Sequence, residues 1–191
     1  ASIVILAYFA NSLVPAKLGD AYTWSGLTEA NAARVVAVLQ SADAGLDERL
    51  KPDVDATSAR ISTLQKGLEA SSVLPEEKAL LEAVAAKRKA YIDLRNQARD
   101  LKKAGQEEAA LQALKTQVLP AVASYLDAQR DFVQHEAARS EALRAEAQAL
   151  AMTVLWWVVA GMVGIAVLLV LTTRQLASAL LAPLQLLGKA T

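Results

Sequence analysis

The sequence predicts an all-α protein: an antiparallel up-down-up-down four-helix bundle with long first and fourth helices, prolonged by a transmembrane helix. Three observations carry this. Apolar residues recur every three or four positions, the period of an amphipathic helix and not of a strand. Gly45, Pro52, Gly67, Pro75, Gly105 and Pro120 punctuate the middle of the chain and divide it into four helical stretches. Finally, no Asp, Glu, Lys or Arg occurs between Glu146 and Arg174.

The first helix is expected to run from the membrane to about Ala44. It is preceded by an apolar run, Ala1 to Ala10, and the first charge is Lys17. About ten residues cannot cross a bilayer as a helix, and the charged start of a signal peptide is missing. Residues 1–10 are therefore read as the outer end of a first transmembrane helix, with a buried helix as the alternative. The second helix is expected to follow Pro52 and to end near Ser71 and Ser72.

The third opens at Pro75-Glu76-Glu77, with Pro set for a first turn and acids set for the positive end of the helix dipole. It stops at Lys102-Lys103-Ala104-Gly105, cations in the last turn and then glycine. The fourth begins near Gln106-Glu107-Glu108 and carries the stripe Leu111, Leu114, Val118, Val122, Tyr125 and Phe132. Pro120 is expected only to kink it. Short links make successive helices antiparallel. The fourth helix covers about 40 residues before the apolar span, or roughly 60 Å, so the first would meet the membrane near residue 5.

The charge-free stretch exceeds the roughly 20 apolar residues that a membrane-crossing helix needs. Trp156 and Trp157 fit an interfacial anchor, and Arg174 with Lys189 places the C-terminal flank in the cytoplasm by the positive-inside rule. The expected organisation is the end of a first membrane helix over 1–10, a four-helix bundle over 11–150, a second transmembrane helix over 151–173 and the start of a linker over 174–191.

Composition excludes several classes of function. Twenty basic residues balance twenty acidic ones, so there is no surplus to neutralise a phosphate backbone, and nucleic acid is not an expected partner. Cysteine is absent, which removes thiolate metal sites and cysteine nucleophiles together. The single histidine, His135, is read as a solvated helix-surface residue with no partner at metal spacing. No phosphate-binding loop, dinucleotide fingerprint or nucleophile elbow occurs. The expectation is no enzyme, no cofactor and no metal.

The third helix is the informative one. Stepping by three and four from Leu81 gives Val84, Arg88, Tyr91, Arg95 and Ala98, which puts two guanidinium groups on the bundle-facing stripe. The register through Leu80, Val84, Lys87, Tyr91, Leu94, Ala98 and Leu101 would instead push both arginines to the border, and periodicity alone does not choose. An unpaired buried charge is costly, so each arginine must snorkel to water, pair with acids such as Asp47, Asp55 or Asp127, or clamp an anionic guest. Arg88 and Arg95 stand about 10.5 Å apart along the axis with Tyr91 between them. Matching levels along neighbouring helices adds Thr57, Ser58, Arg34 and Asn31 as candidate ligand residues, with Gln117, Ser124 and Tyr125 at similar depth on the fourth helix.

These residues resemble the periplasmic four-helix-bundle region of bacterial methyl-accepting chemotaxis receptors. The likeness rests on Asn31-Ala-Ala-Arg34 on the first helix, on Tyr91, Arg95, Gly105 and Ala109-Ala110, and on Arg174 to Leu176 followed by Ala182-Pro183-Leu184, which resembles the start of a HAMP linker. Within that family, Arg88-x-x-Tyr91-x-x-x-Arg95 with hydroxyls on the second helix is similar to receptors for tricarboxylic-acid-cycle intermediates, of the kind that senses citrate and malate in Comamonas. The related pattern has two threonines where this chain has Thr57 and Ser58, and serine keeps the donor but loses a methyl contact.

The resemblance implies a di- or tricarboxylate held within one subunit and an inner-membrane receptor with its bundle in the periplasm. It also implies a homodimer through the first and fourth helices, whose assembly state changes with ligand. A downstream kinase and coupling protein would be engaged through a cytoplasmic region beyond residue 191. Other readings are the sensor portion of a membrane histidine kinase or diguanylate cyclase, and a ligand-free dimerisation bundle.

Overall fold

The computed structural model describes residues 14–43 and 45–187, with side chains described for 16–43 and 45–175. Residues 1–10, expected as the end of a first membrane helix, lie outside the described residues, as does 188–191 of the expected linker. Helices follow one another as α1 (Val14–Gln40), α2 (Leu46–Ser71), α3 (Pro75–Lys103), α4 (Glu107–Ala113), a π turn (Leu114–Val118) and α5 (Leu119–Leu187). No strand occurs among the described residues. The chain forms two compact units, Ala1–Arg144 and Ala145–Thr191.

In the first unit, cross-helix pairs fix every neighbour as antiparallel. Asn31 meets Ser58 and Arg34 meets Thr57; Asp47 meets Arg99 while Ser62 and Gln65 meet Arg88. Lys17 meets Glu136, and Glu77 meets Arg139. The core repeats in steps of seven residues: Ala21, Thr28 and Val35; Val54, Ile61 and Leu68; Glu77, Val84, Tyr91 and Ala98; Val118, Tyr125 and Phe132 are all buried. A seven-residue step keeps one seam facing the partner helices, as in bundles that cross at about 20°. Aromatic contacts fill it, with Trp24 edge-on to Phe132 at 6.2 Å and Tyr91 stacked on Tyr125 at 6.1 Å.

Three boundaries depart from the sequence expectation. α1 ends at Gln40, four residues before Ala44, where Ser41 accepts from the Asp43 amide and Asp43 from the Gly45 amide; such side-chain turns compete with the helix. The Lys102 ammonium then takes up the free carbonyls of Val38, Leu39 and Ser41. α2 begins at Leu46, so Pro52 lies inside it instead of before it. Acids in its first turn, Asp47 and Glu48, and the Asp47–Arg99 pair outweigh the lost proline donor. At Pro120 the helix does not merely kink, for the preceding turn widens and the Leu119 amide donates to Leu114 O. The wider turn relieves the clash of the proline ring with the carbonyl four residues back.

The α3 boundaries match the expectation: Pro75 opens it, Lys102 and Lys103 close it, and Gly105 follows at φ 74°, a left-handed conformation glycine adopts without strain. Its seam runs through Leu81, Val84, Tyr91 and Ala98, with Lys87 exposed. That is the register in which Arg88 and Arg95 face the bundle, both half-buried.

The second unit is helical to Leu187. Its apolar window has mean hydropathy 2.7 and no buried share, and the helix is long enough to cross a membrane. Trp156 and Trp157 are among its most exposed side chains.

Candidate ligand-binding site

A cavity of about 100 Å³ lies among the bundle helices, lined by Thr28, Asn31 and Ala32 of α1, Ser58 and Ile61 of α2, Arg88, Tyr91, Ile92 and Arg95 of α3, and Tyr125 of α5. A single water needs roughly 10–15 Å³ of such space, so the cavity has room for several small groups. Five of the seven expected ligand residues line it. Arg34 and Thr57 do not; they are half-buried and joined to each other at 3.4 Å. Of the fourth-helix residues at matching depth, Tyr125 lines the cavity and Gln117 is exposed.

The partners of the arginines are neutral. Arg88 donates to Gln65 Oε1 and to Ser62 Oγ, each at 2.6 Å. Arg95 donates to Asn96 Oδ1 at 2.9 and 3.2 Å and lies over the Tyr91 ring at 5.9 Å. Among the described residues no carboxylate pairs with Arg34, Arg88 or Arg95. The acids expected as alternatives are engaged elsewhere: Asp47 with Arg99, Asp55 with Lys51 and Asp127 with Arg130. Arg88 reaches an acid only through a relay, since the Gln65 amide that accepts from it donates to Glu69.

The cavity also carries free polar capacity. Asn31 donates to Ser58 Oγ at 2.9 Å while its own Oδ1 is buried without a partner. Ser58, accepting there, keeps a hydroxyl proton to give. Burial pushes the Tyr91 phenol above its ordinary pKa, against the opposing pull of Arg95. Tyr125 is raised for the same reason, against its hydrogen bond with Thr28 and the charge of Arg88. Both phenols therefore present neutral hydroxyls at neutral pH.

Sequence reasoning missed Thr28, Ser62 and Gln65. Their signal was present, because Ser58, Ser62 and Gln65 fall at i, i+4 and i+7 and so form a polar stripe down the inner face of α2. A larger cavity, about 290 Å³, lies at the turns and is lined by Asp43, Asp47, Glu48, Arg99, Lys102, Lys103 and Glu107 among others. Two of its three cations are committed, Arg99 to Asp47 and Lys102 to the α1 carbonyls, while Lys103 is exposed.

At the opposite end of the bundle, the solvated reading of His135 is corrected. It is half-buried, its Nε2 is buried without a partner, and its ligating atom lies within 4.8 Å of carboxylate oxygens of Glu77 and Glu136. Lys17 and Arg139 complete this cluster. Burial pushes the Glu77 carboxyl up, but the hydrogen-bonded Lys17 ammonium and the Arg139 guanidinium outweigh it and hold the group below the ordinary carboxylate range.

The described residues thus combine an all-α bundle holding a polar, cation-lined cavity with an apolar helix of membrane-crossing length. Residues 10–151 match the family described as the four helix bundle sensory module for signal transduction, and the chain belongs to that family, a sensory module of chemoreceptors. No curated protein sequence matches the chain.

Proposed function

We propose that this module detects small di- and tricarboxylates, citrate, malate and related tricarboxylic-acid-cycle acids, and reports them across the inner membrane for chemotaxis. The observation that carries the reading is the pair of half-buried guanidiniums, Arg88 and Arg95, at one cavity with only neutral partners. Long side chains from two positions about two helical turns apart on one face can converge on the two ends of a short diacid, each fork able to take a carboxylate bidentately. Ser58 supplies a further donor, and the unpartnered Asn31 Oδ1 accepts from a ligand hydroxyl. In this reading the Thr57–Arg34 pair supports the rim and does not touch the ligand.

The bundle, residues 11–150, stands in the periplasm as a homodimer through its first and fourth helices, whose assembly responds to ligand. Residues 151–173 cross the membrane, and 174–191 begin a HAMP linker leading to a region that engages a kinase and its coupling protein. Ligand joining α1, α2 and α3 favours one packing of the helices over another. Only its differential affinity for the two drives the change, and shifts of about 1–2 Å at helix interfaces suffice.

Titration calorimetry of the full chain in lipid nanodiscs with citrate, malate and succinate tests this. The expected result is saturable binding of at least one acid, weakened roughly 10–150-fold by Arg88→Ala or Arg95→Ala, the worth of one charge-assisted hydrogen bond of about 1.5–3 kcal/mol. Absence of binding to all three, or binding untouched by both changes, overturns the assignment.

A further inference from the structure

The second charged cluster has the donors of a metal centre and a built-in competitor for it. Glu77 on α3 and Glu136 on α5 are both 0% exposed. Lys17 of α1 places its ammonium 2.9 Å from Glu77 Oε2 and 2.9 Å from Glu136 Oε1, and Arg139 pairs with Glu77 Oε1. The ammonium thus sits between two carboxylates that arrive from different helices, where a bound cation would sit. Two groups are left over: Glu136 Oε2, on a fully buried side chain, and the buried His135 Nε2 have no hydrogen-bond partner. Buried polar atoms without partners are rare and costly. One imidazole and two carboxylates, their ligand atoms within 4.8 Å of one another, form the N/O donor set of a borderline first-row divalent ion.

We propose that Glu77, His135 and Glu136 form a binding site for a zinc-like divalent cation, and that Lys17 and Arg139 are tethered competitors which the ion displaces. Charge balance makes the exchange feasible. Two carboxylates are neutralised by two monovalent side chains in the present state and by one divalent ion after exchange, so neither state buries net charge. Both displaced groups sit on long stems, at 10% and 31% side-chain exposure, and reach water by rotating outward. Donors around one zinc at about 2.0–2.1 Å stand roughly 3.4 Å apart, so the three ligands close by about an ångström and water completes the shell. Magnesium, which demands an octahedron of oxygens, does not fit this set. Metal entry unfastens α1, because Lys17 ties it to α3 and α5 here. This site is independent of the carboxylate cavity.

The test is calorimetry of the full chain in nanodiscs with zinc chloride, against magnesium chloride, in wild type and in Lys17→Gln, Glu136→Gln and His135→Gln. One zinc per chain is expected, weakened at least about tenfold by His135→Gln and by Glu136→Gln, and tightened at least about tenfold by Lys17→Gln, which keeps a donor but removes the competing charge. Lys17, nearly buried now, should also become reactive to an amine-specific label when zinc is added, as read by mass spectrometry of its peptide. The gain in Lys17→Gln keeps the proposal falsifiable should Glu136→Gln fold poorly. Zinc binding absent from both wild type and Lys17→Gln, binding undiminished in His135→Gln, or Lys17 labelling unmoved by saturating zinc each overturns it.

Discussion

The two ends of the bundle interior treat positive charge in opposite ways. Near Glu77 and Glu136, the cations Lys17 and Arg139 meet native carboxylates that are wholly buried. Near Tyr91, the cations Arg88 and Arg95 meet only amide and hydroxyl oxygens and the face of a ring. Among the described residues no acid forms an ion pair with the second pair, although Asp55 lies within reach of the Arg95 charge. The first arrangement closes three helices on one another with charges that all belong to the chain. In the second, the chain itself pairs no carboxylate with the charge, and an anion from outside is what the proposed function would supply.

The contrast predicts opposite mutational profiles, and this is the largest effect expected. Glu136→Ala leaves Lys17 without one of its two counter-charges in a dry environment, and breaking a buried pair typically costs about 3–5 kcal/mol. Arg88→Ala removes two hydrogen bonds from a half-buried cation to neutral groups but strands no charge, a loss of about 1–3 kcal/mol. Denaturant melts of both variants, followed by helix circular dichroism, read the difference. Similar losses in the two would mean that Arg88 is as structural as Lys17, and the comparison would fail.

Where the chain spoke locally, it could be read from sequence. Pro75 at the first turn, Lys102 and Lys103 at the last and Gly105 beyond it define α3, because each acts on its own backbone. The inward register of Arg88 and Arg95 is fixed by tertiary packing and not by the local pattern, since the two possible seams share Val84, Tyr91 and Ala98. Their partners were less visible still, for an isolated cation invites a search for acids, whereas Ser62 and Gln65 are uncharged. His135 was misread for a related reason. Its neighbour Glu77 lies 58 positions away and comes close only through the antiparallel register of α3 on α5, which spacing along one helix does not reveal. Pro52 shows the converse: a local stop signal was overridden by first-turn acids and a tertiary ion pair.

A smaller effect sharpens the account of the cavity. Asn31 Oδ1 is buried with no donor to satisfy it, and a ligand hydroxyl is such a donor. Malate carries one and succinate does not, so malate should bind more tightly by one neutral hydrogen bond, about 0.5–1.5 kcal/mol or roughly 2–12-fold. Asn31→Ala should erase that preference while leaving succinate affinity largely alone. Equal affinity for the two acids in the wild type would place the hydroxyl elsewhere, or show that the Asn31 oxygen is satisfied by water.

The smallest expected effect is a titration, and it too distinguishes the cavity from the charged cluster. Burial raises the Tyr91 and Tyr125 phenols, with Arg95 and Arg88 opposing it. A raised acid holds its proton more firmly in the folded state. Its contribution to stability is therefore full below the unfolded value of about 10 and declines as pH rises through that value toward the higher folded one. Alkaline melts should show stability falling above about pH 10, and tyrosinate absorbance should show two late-titrating phenols. A bound dicarboxylate sharpens this, because it draws Arg95 away from the Tyr91 ring and sets a negative charge nearby; both disfavour tyrosinate. Saturating malate should push the late titration higher. If the phenols titrate at the same pH with and without malate, the acid does not lie beside Tyr91, and the unpaired arginines must be explained without it.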